Sequence, residues 1–218
     1  MKEIQQKNNK EDVTIFIIFG FFIGIFIIIF SIMAWATLVL SEDLPLKTTY
    51  VSGPNAMSKI DVEATIEDIQ NFWKLTFRYN IIPVAFNKVD DDYNYNPDLK
   101  MFWDALLYYH WKDNLKLTRK AINLVVLPPI IDNAVKYNAG MAEIGTYKRH
   151  KTFALVYCAN LLGCTICSLH EILHTLGATH NRSRNQIMHP AAGQFGMDAL
   201  AVTHRTKVQV RRYLNAVS

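Results

Sequence analysis

Residues 170–180 read H-E-I-L-H-T-L-G-A-T-H, and this stretch decides how the rest of the chain is interpreted. On a helix, His170 and His174 are four residues apart and share one face, so both imidazoles can reach a single metal ion. Glu171 lies beside the first histidine, where it is expected to take a proton from a zinc-bound water rather than to bind the metal. The stretch therefore predicts a metal-dependent hydrolytic site.

A third ligand follows one turn later in the same stretch. Gly177 allows the positive φ angle that ends a helix and reverses the chain, which lets His180 swing back toward the first two histidines. Three protein ligands leave a fourth position open for water, which is the arrangement of a catalytic zinc rather than a structural one. One catalytic Zn²⁺ is the predicted cofactor. The alternative, a surface helix that carries histidines by chance, does not account for the full spacing.

These residues resemble the motif of the metzincin metallopeptidases, H-E-x-x-H-x-x-G-x-x-H followed by a methionine-containing turn beneath the zinc. Residues 187–190, Ile-Met-His-Pro, match that turn, with Met188 as its methionine. The spacing from His180 to Met188, with a proline two places later, is similar to the matrixin branch. The specific resemblance covers residues 167–190, and a looser one extends from about Lys59 to the end. It implies a zinc endopeptidase that acts on peptides or proteins.

Other branches of the clan match less of the stretch. Archaemetzincins, the second choice, have similar spacing but carry two cysteines where this chain has Asn181 and Gln186. Matrixins usually have Ser after the third histidine and Tyr after the methionine, where this chain has Asn181 and His189. Astacins have a Met-His-Tyr turn, and Pro190 replaces its tyrosine. The resemblance is therefore described as metzincin, matrixin-like.

A second feature lies near the N-terminus. Residues 13–40 form a run of 28 residues without a charge, dominated by Ile and Phe, and about 20 such residues are enough to cross the hydrocarbon layer. A signal peptide has a shorter apolar region, so a retained transmembrane anchor is predicted, although Ala34 and Ala36 form an A-x-A pattern that a signal peptidase accepts. Lysines precede the run and acidic residues follow it, so residues 1–12 are expected in the cytoplasm and the C-terminal part outside it.

The anchor divides the chain into a tail, an anchor, a linker and a zinc metallopeptidase domain, predicted at residues 1–12, 13–40, 41–58 and 59–218. The linker is interpreted as a stalk or as an entry strand. The net charge of +4 is mildly basic. The basic residues are spread along the chain without interleaved aromatic residues, so no nucleic-acid partner is expected. Gly20 and Gly24 form a G-x-x-x-G pattern that could pair two anchors into a dimer, although exposure to lipid is the more common role of such glycines.

Apolar periodicity predicts an α/β (α+β) domain with a mixed, twisted sheet and an active-site helix. Helices are predicted at residues 62–79, 96–109, 161–176 and 203–216, and strands at 81–89, 122–127 and 152–158. The order is similar to that of the N-terminal lobe of metzincins. That resemblance places an edge strand around residues 140–146, where Gly140 and Ala142 would contact an extended substrate. It also places the wall of a specificity pocket at residues 190–195, beginning with Pro190.

Two other functions compete with an exported peptidase. Residues 152–169 carry no charge and lead directly into His170, as in a metalloprotease buried in the membrane. Asn160 and Gly163 interrupt that run, and a nearby third histidine also argues against this function. A membrane-displayed binding or adhesion domain on a catalytically inactive metzincin fold is the main rival, but such a domain has no need of Glu171.

The three cysteines are Cys158, Cys164 and Cys167. Cys164 and Cys167 would be same-face neighbours on a continuous helix, and buried, reduced thiols are the more common state of such residues. An oxidising compartment could instead join Cys158 to Cys164, or Cys164 to Cys167, and leave one thiol over.

Two weaker features complete the analysis. Asp90, Asp91 and Asp92 could contribute to a calcium site, but such triplets are usually solvated turns and calcium is not expected. Asn181, Arg182 and Ser183 form a glycosylation acceptor pattern, and its place beside a zinc ligand argues against its use.

Overall fold

The computed structural model describes residues 20–32, 43–53, 55–77, 79–90, 117, 120–132, 135–137, 139–183, 185–192 and 200–217. They fall into two compact units, Met1–Glu42 and Asp43–Ser218. In the first unit, residues 20–32 form a helix with exposed Phe and Ile side chains. No helix in the described parts of the chain is both long and apolar enough to span a membrane. The rest of the predicted anchor and the predicted tail lie outside the described residues.

The second unit contains a five-stranded mixed sheet and a short two-stranded hairpin. The strands are β1 (Leu44–Ser52), β2 (Ile81–Asp90), β3 (Ile122–Leu127), β4 (Ile130–Asp132), β5 (Val135–Tyr137), β6 (Ala139–Ala142) and β7 (Phe153–Tyr157). The main sheet has the order β2-β1-β3-β7-β6, in which β6 runs antiparallel to β7 and the other neighbours are parallel. Strands β4 and β5 form the hairpin.

Strand β1 lies within the segment that the sequence assigned to a linker. It pairs with both β2 and β3, so the compact unit begins at Asp43 and the segment supplies an entry strand rather than a stalk. Pro45 is tolerated because the pairing with β3 starts only at Leu46, which leaves the proline bonded on one side. The alternation of buried Leu44 and Leu46 was the sequence signal for this strand.

The described residues of this unit include three helices: α1 (Lys59–Phe77), α2 (Leu161–Thr175) and α3 (His204–Val217). One continuous core joins residues of all three helices to one face of β1, β3 and β7. The other face of these strands carries a second cluster that includes Val125, Phe153 and Leu155. Helices α1 and α3 are capped by the residues just before them, Ser58 and Thr203, whose hydroxyl oxygens accept hydrogen bonds from backbone N–H groups three residues later.

The uncharged run at residues 152–169 becomes two buried elements of this domain. Its first part is β7, whose five residues are all buried, and its second part is the beginning of α2. Every residue of α2 from Gly163 to Thr175 is buried, and burial of a helix favours an uncharged stretch such as the one that precedes His170. The run therefore reflects burial inside the domain, and the intramembrane interpretation is not needed to explain it.

Most predicted elements are confirmed within a few residues of their predicted ends. They are the helices α1, α2 and α3 and the strands β2, β3 and β7. Strand β6 is an edge strand, as predicted, but it ends at Ala142 and not near residue 146. The hairpin of β4 and β5 was missed, and the predicted helix at residues 96–109 lies outside the described residues.

The cysteines are not all reduced. Cys158 and Cys164 form a disulfide that joins the end of β7 to the first turn of α2, and Cys167 is free and buried. The preferred prediction of three thiols is therefore wrong, and one of the two alternative pairings is present. Asn160 lies between the bonded cysteines, and its side-chain oxygen accepts a hydrogen bond of 2.8 Å from Gly163 N–H to start the helix.

Candidate metal and peptidase site

The end of α2 is shaped to bring the third histidine back toward the first two. Gly177 has a φ angle of +83°, in the left-handed region that glycine adopts without strain. Its N–H donates to the His174 carbonyl at 2.9 Å, and Ala178 N–H donates to the Leu173 carbonyl at 3.0 Å. This pair of bonds is a Schellman motif, which satisfies the last helix carbonyls and turns the chain sharply. The predicted role of Gly177 as the helix end is confirmed.

The three histidines meet at their Nε2 atoms. The distance is 3.0 Å between His170 and His174, 3.1 Å between His170 and His180, and 3.1 Å between His174 and His180. Three nitrogens around one tetrahedral zinc would be about 3.3 Å apart, given Zn–N bonds of about 2.0–2.1 Å. Among the described residues this is the one group of three or more His, Cys, Asp or Glu side chains close enough to hold a metal ion.

Backbone carbonyls set the tautomers of two of these rings. His170 Nδ1 lies against the Ile187 carbonyl oxygen, and His174 Nδ1 lies 2.8 Å from the Ala178 carbonyl oxygen. A carbonyl oxygen only accepts, so each Nδ1 must carry the proton, and each neutral ring then presents an unprotonated Nε2. Sequence analysis missed these partners because any residue supplies a backbone carbonyl.

The rings are kept neutral by their surroundings. Burial lowers the pKa of His170 to about 3, with a further contribution from His174 and against the hydrogen bond to Ile187. Burial also lowers the pKa of His174 and of the more exposed His180. At neutral pH all three imidazoles are therefore available as metal ligands. Two unprotonated Nε2 atoms, with the Nε2 of His180 3.1 Å from each, face one point and favour a bound cation.

Glu171 lies beside this cluster and under strand β6. Its side chain is buried, and burial raises the pKa of its carboxyl to about 8. The backbone of Gly140 passes so close that a Cβ atom there would lie 2.6 Å from Glu171 Cγ and 2.7 Å from Oε1. A buried carboxyl group beside these three nitrogens holds a proton more firmly than a solvated one, so its ionised form is the stronger base.

A cleft of about 330 Å³ opens onto these groups. Its walls bring together the predicted site residues from three parts of the chain, namely Gly140, Ala142, His170, Glu171, His174, His180 and Pro190. Met188 is fully buried in the core. Its carbonyl accepts a hydrogen bond of 2.9 Å from Asn181 N–H. The cleft also borders Cys167, Ala191 and Ala192, which the sequence analysis did not assign to the site. The predicted pocket wall beyond residue 192 lies outside the described residues.

The two weaker sequence features contribute none of their described residues to the walls of this cleft. Asp90 is exposed, forms an ion pair of 2.7 Å with Lys88 and accepts a hydrogen bond from Ser52, and the other two aspartates of the triplet lie outside the described residues. Asn181 Nδ2, which glycosylation would modify, is buried.

Comparison with known proteins concerns the fold. No family model matches the sequence, and no curated protein matches it. Among solved structures, the chain is similar to archaemetzincin from Methanopyrus kandleri, with a TM-score of 0.54 and 14% identity, over 79% of this chain and 96% of that chain. It is also similar to archaemetzincin from Archaeoglobus fulgidus (TM-score 0.47, 16% identity, 76% of this chain and 99% of that chain). A third similar structure is metalloproteinase-II from Bacteroides fragilis, with a TM-score of 0.47 and 13% identity, over 78% of this chain. This chain spans 53% of the length of that protein.

The likeness to the Methanopyrus kandleri structure shows the fold of this chain. The second unit has a metzincin-like zinc peptidase fold, with a mixed sheet and an α2 helix that carries the first two histidines. This confirms the fold predicted from the H-E-x-x-H-x-x-G-x-x-H stretch. The solved structure with this likeness is an archaemetzincin, which belongs to the branch predicted as second choice.

Proposed function

We propose that this chain is a zinc-dependent endopeptidase. The observation that carries the proposal is the triangle of three histidine Nε2 atoms, 3.0–3.1 Å apart, beside a buried glutamate and an open cleft. His170, His174 and His180 would hold the zinc. When bound there, zinc lowers the pKa of a water molecule and polarises a substrate carbonyl.

The residues around the metal position supply the rest of the chemistry. Glu171, buried beside the metal position, would accept a proton from the attacking water in its ionised form and return it to the leaving amine. Strand β6 is an edge strand with β7 on one side, so its other side can pair with an extended peptide. Gly140 and Ala142 would contact that peptide from β6, and Pro190 would contact it from the opposite wall.

The proposal places the enzyme on a membrane. Its support is the run of 28 uncharged residues at 13–40, with lysines before it and acidic residues after it. The short tail would be cytoplasmic and the peptidase domain would face away from the cytoplasm. A disulfide between Cys158 and Cys164 is consistent with an oxidising compartment on that side.

The branch within the metzincin clan stays a prediction. The spacing from His180 to Pro190 favours a matrixin-like enzyme, whereas the fold likeness is to an archaemetzincin that shares 14% of its residues with this chain. A cleavage profile on a peptide library, together with its sensitivity to metal chelators, would characterise the activity and its substrate class.

Glu171→Gln tests the enzyme against its rival, an inactive binding domain. The substitution keeps the shape of the side chain and the three imidazoles but removes the proton acceptor. Zinc content and folding should stay near the wild-type values, while peptide turnover should fall at least about a hundredfold. His180→Ala should lower the zinc content of the purified chain.

Glu67→Gln is the matched control, because Glu67 is exposed on α1 away from the cleft. Its turnover should equal that of the wild type. Equal, measurable turnover by the wild type and Glu171→Gln would contradict the role of Glu171. Full zinc content with no cleavage of any peptide by the wild type would favour the binding domain.

A further inference from the structure

His180 is held differently from the other two histidines. It lies in the segment after α2, it is exposed, and among the described residues its Nδ1 has no hydrogen-bond partner, whereas His170 and His174 each donate from Nδ1 to a carbonyl. The direction of the His180 ring therefore depends on how firmly the backbone around it is placed.

The backbone on both sides of His180 is tied to other elements. Ala178 N–H donates to the Leu173 carbonyl, and Asn181 N–H donates to the Met188 carbonyl at 2.9 Å. Thr179 lies between these two bonds, and its own hydrogen-bond partner comes from a different part of the chain.

Gln209 of helix α3 makes a reciprocal contact with Thr179. Its Nε2 donates to Thr179 Oγ1 at 2.9 Å, and its Oε1 accepts from Thr179 N–H at 3.4 Å. The two residues are thirty positions apart in sequence. One amide thus satisfies both the hydroxyl and the backbone N–H of the residue that precedes the third ligand.

Helix α3 is itself firmly placed. Val210 and Leu214 are buried in the core, and the Tyr213 hydroxyl donates to the Tyr147 carbonyl. The Tyr213 ring also packs on Gly177, with a distance of 3.1 Å from its Cδ2 to the position of a glycine Cβ. Gln209 is therefore presented from a rigid support.

We propose that Gln209 is a positioning residue for the zinc ligand His180. By holding Thr179 through two hydrogen bonds, it keeps the His180 imidazole directed toward His170 and His174. The role rests on the proposed zinc site and adds to it a residue from the C-terminal helix, outside the H-E-x-x-H-x-x-G-x-x-H stretch.

The test measures zinc affinity of the full-length chain by competition with a chelator. Gln209→Ala should raise the Kd for zinc about tenfold, the lower range for loss of a residue that supports a ligand. Thr179→Val removes only the hydroxyl that Gln209 contacts and should raise the Kd in the same direction. Adding Thr179→Val to Gln209→Ala should cause little further loss, because both changes break the same contact. The visible absorption spectrum of the Co²⁺-loaded Gln209→Ala chain should differ from that of the wild type.

Asn215→Ala is the matched control, since Asn215 is an exposed amide on the same helix. The proposal is supported if both test variants bind zinc more weakly than the wild type while two control values stay unchanged. These control values are the zinc Kd of Asn215→Ala and the thermal midpoint of metal-free Thr179→Val. A wild-type Kd in both test variants, or an equal loss in Asn215→Ala, would overturn it. A wild-type chain that binds no zinc would refute the metal site itself, a failure seen without any variant.

Discussion

Gly140 shows how a single residue can constrain the site. The sequence suggested that it contacts substrate from an edge strand, but the structure also places its Cα directly over the side chain of Glu171. A Cβ atom at residue 140 would lie 2.6–2.9 Å from the Cγ, Oε1 and Cδ atoms of that glutamate. The glutamate also lines the cleft, so an added methyl group would push its carboxylate away from its present position. Glycine therefore leaves space for the proton acceptor where it now lies.

Gly140→Ala should displace the Glu171 carboxylate and lower kcat/KM for peptide hydrolysis about ten- to hundredfold, the effect of misplacing a reacting group by about 1 Å. Zinc content should stay at the wild-type value, because the substitution contacts none of the three histidines. Peptide kinetics and metal analysis of the purified chain measure both quantities. Gly24→Ala is the control, since no atom lies within 4 Å of its added methyl group. Wild-type kinetics for Gly140→Ala would refute this steric role.

At the scale of elements, Tyr213 joins α3 to the end of the zinc helix. Its ring packs on Gly145 and Gly177, both of which have positive φ angles. The guanidinium carbon of Arg149 lies 5.1 Å from the centroid of the same ring. Its hydroxyl donates to the Tyr147 carbonyl. The loop that begins at Gly145 caps the last carbonyls of α2, so one aromatic side chain connects three segments around the site.

Burial raises the pKa of the Tyr213 phenol above its ordinary value of about 10, against the opposing effect of Arg149. Above about pH 10 the unfolded chain releases this proton while the folded chain keeps it, so the free energy of unfolding falls as the pH rises. Tyr213→Phe should cost about 1 kcal/mol at pH 7 through the lost hydrogen bond. It should also reduce the fall in stability above pH 10. Urea unfolding at pH 7 and at several values above pH 10 measures both effects. An unchanged slope with pH in Tyr213→Phe would contradict the assignment.

At the scale of the whole molecule, the chain contains two units with different character. The unit Asp43–Ser218 has a sheet, three helices and the candidate site, and it has the metzincin-like fold. The unit Met1–Glu42 contains an apolar helix at residues 20–32, with side chains such as Phe26 and Phe30 largely exposed. An exposed apolar helix in water is costly, and a membrane or a partner helix would relieve that cost.

The proposed anchor predicts a defined topology for the full-length chain. In sealed vesicles whose outer face is the cytoplasmic face, added protease should remove an N-terminal tag and leave a C-terminal tag intact. Detergent should make both tags accessible, which serves as the control. Digestion of the C-terminal tag in sealed vesicles, or a soluble mature chain that starts near Thr37, would show the anchor assignment to be wrong.

The sequence by itself determined the features that depend on residues close together in the chain. The ligand pair His170 and His174 follows from helix periodicity, and the helix end at Gly177 follows from the one residue type that adopts a positive φ angle without strain. The buried strand β3 follows from the local apolar run at residues 122–127. Such signals are local, so they can be recognised before the fold is known.

Tertiary structure decided the features that join distant residues. The central place of β1 depends on pairing with β2 and β3, and the choice of Cys158 over Cys167 as partner of Cys164 depends on where β7 ends. The Ile187 carbonyl that orients His170 and the Gln209 amide that holds Thr179 leave no trace in the sequence pattern. A carbonyl is present at every residue and an amide side chain is common, so only the folded arrangement selects which of them lies at hydrogen-bonding distance from the site.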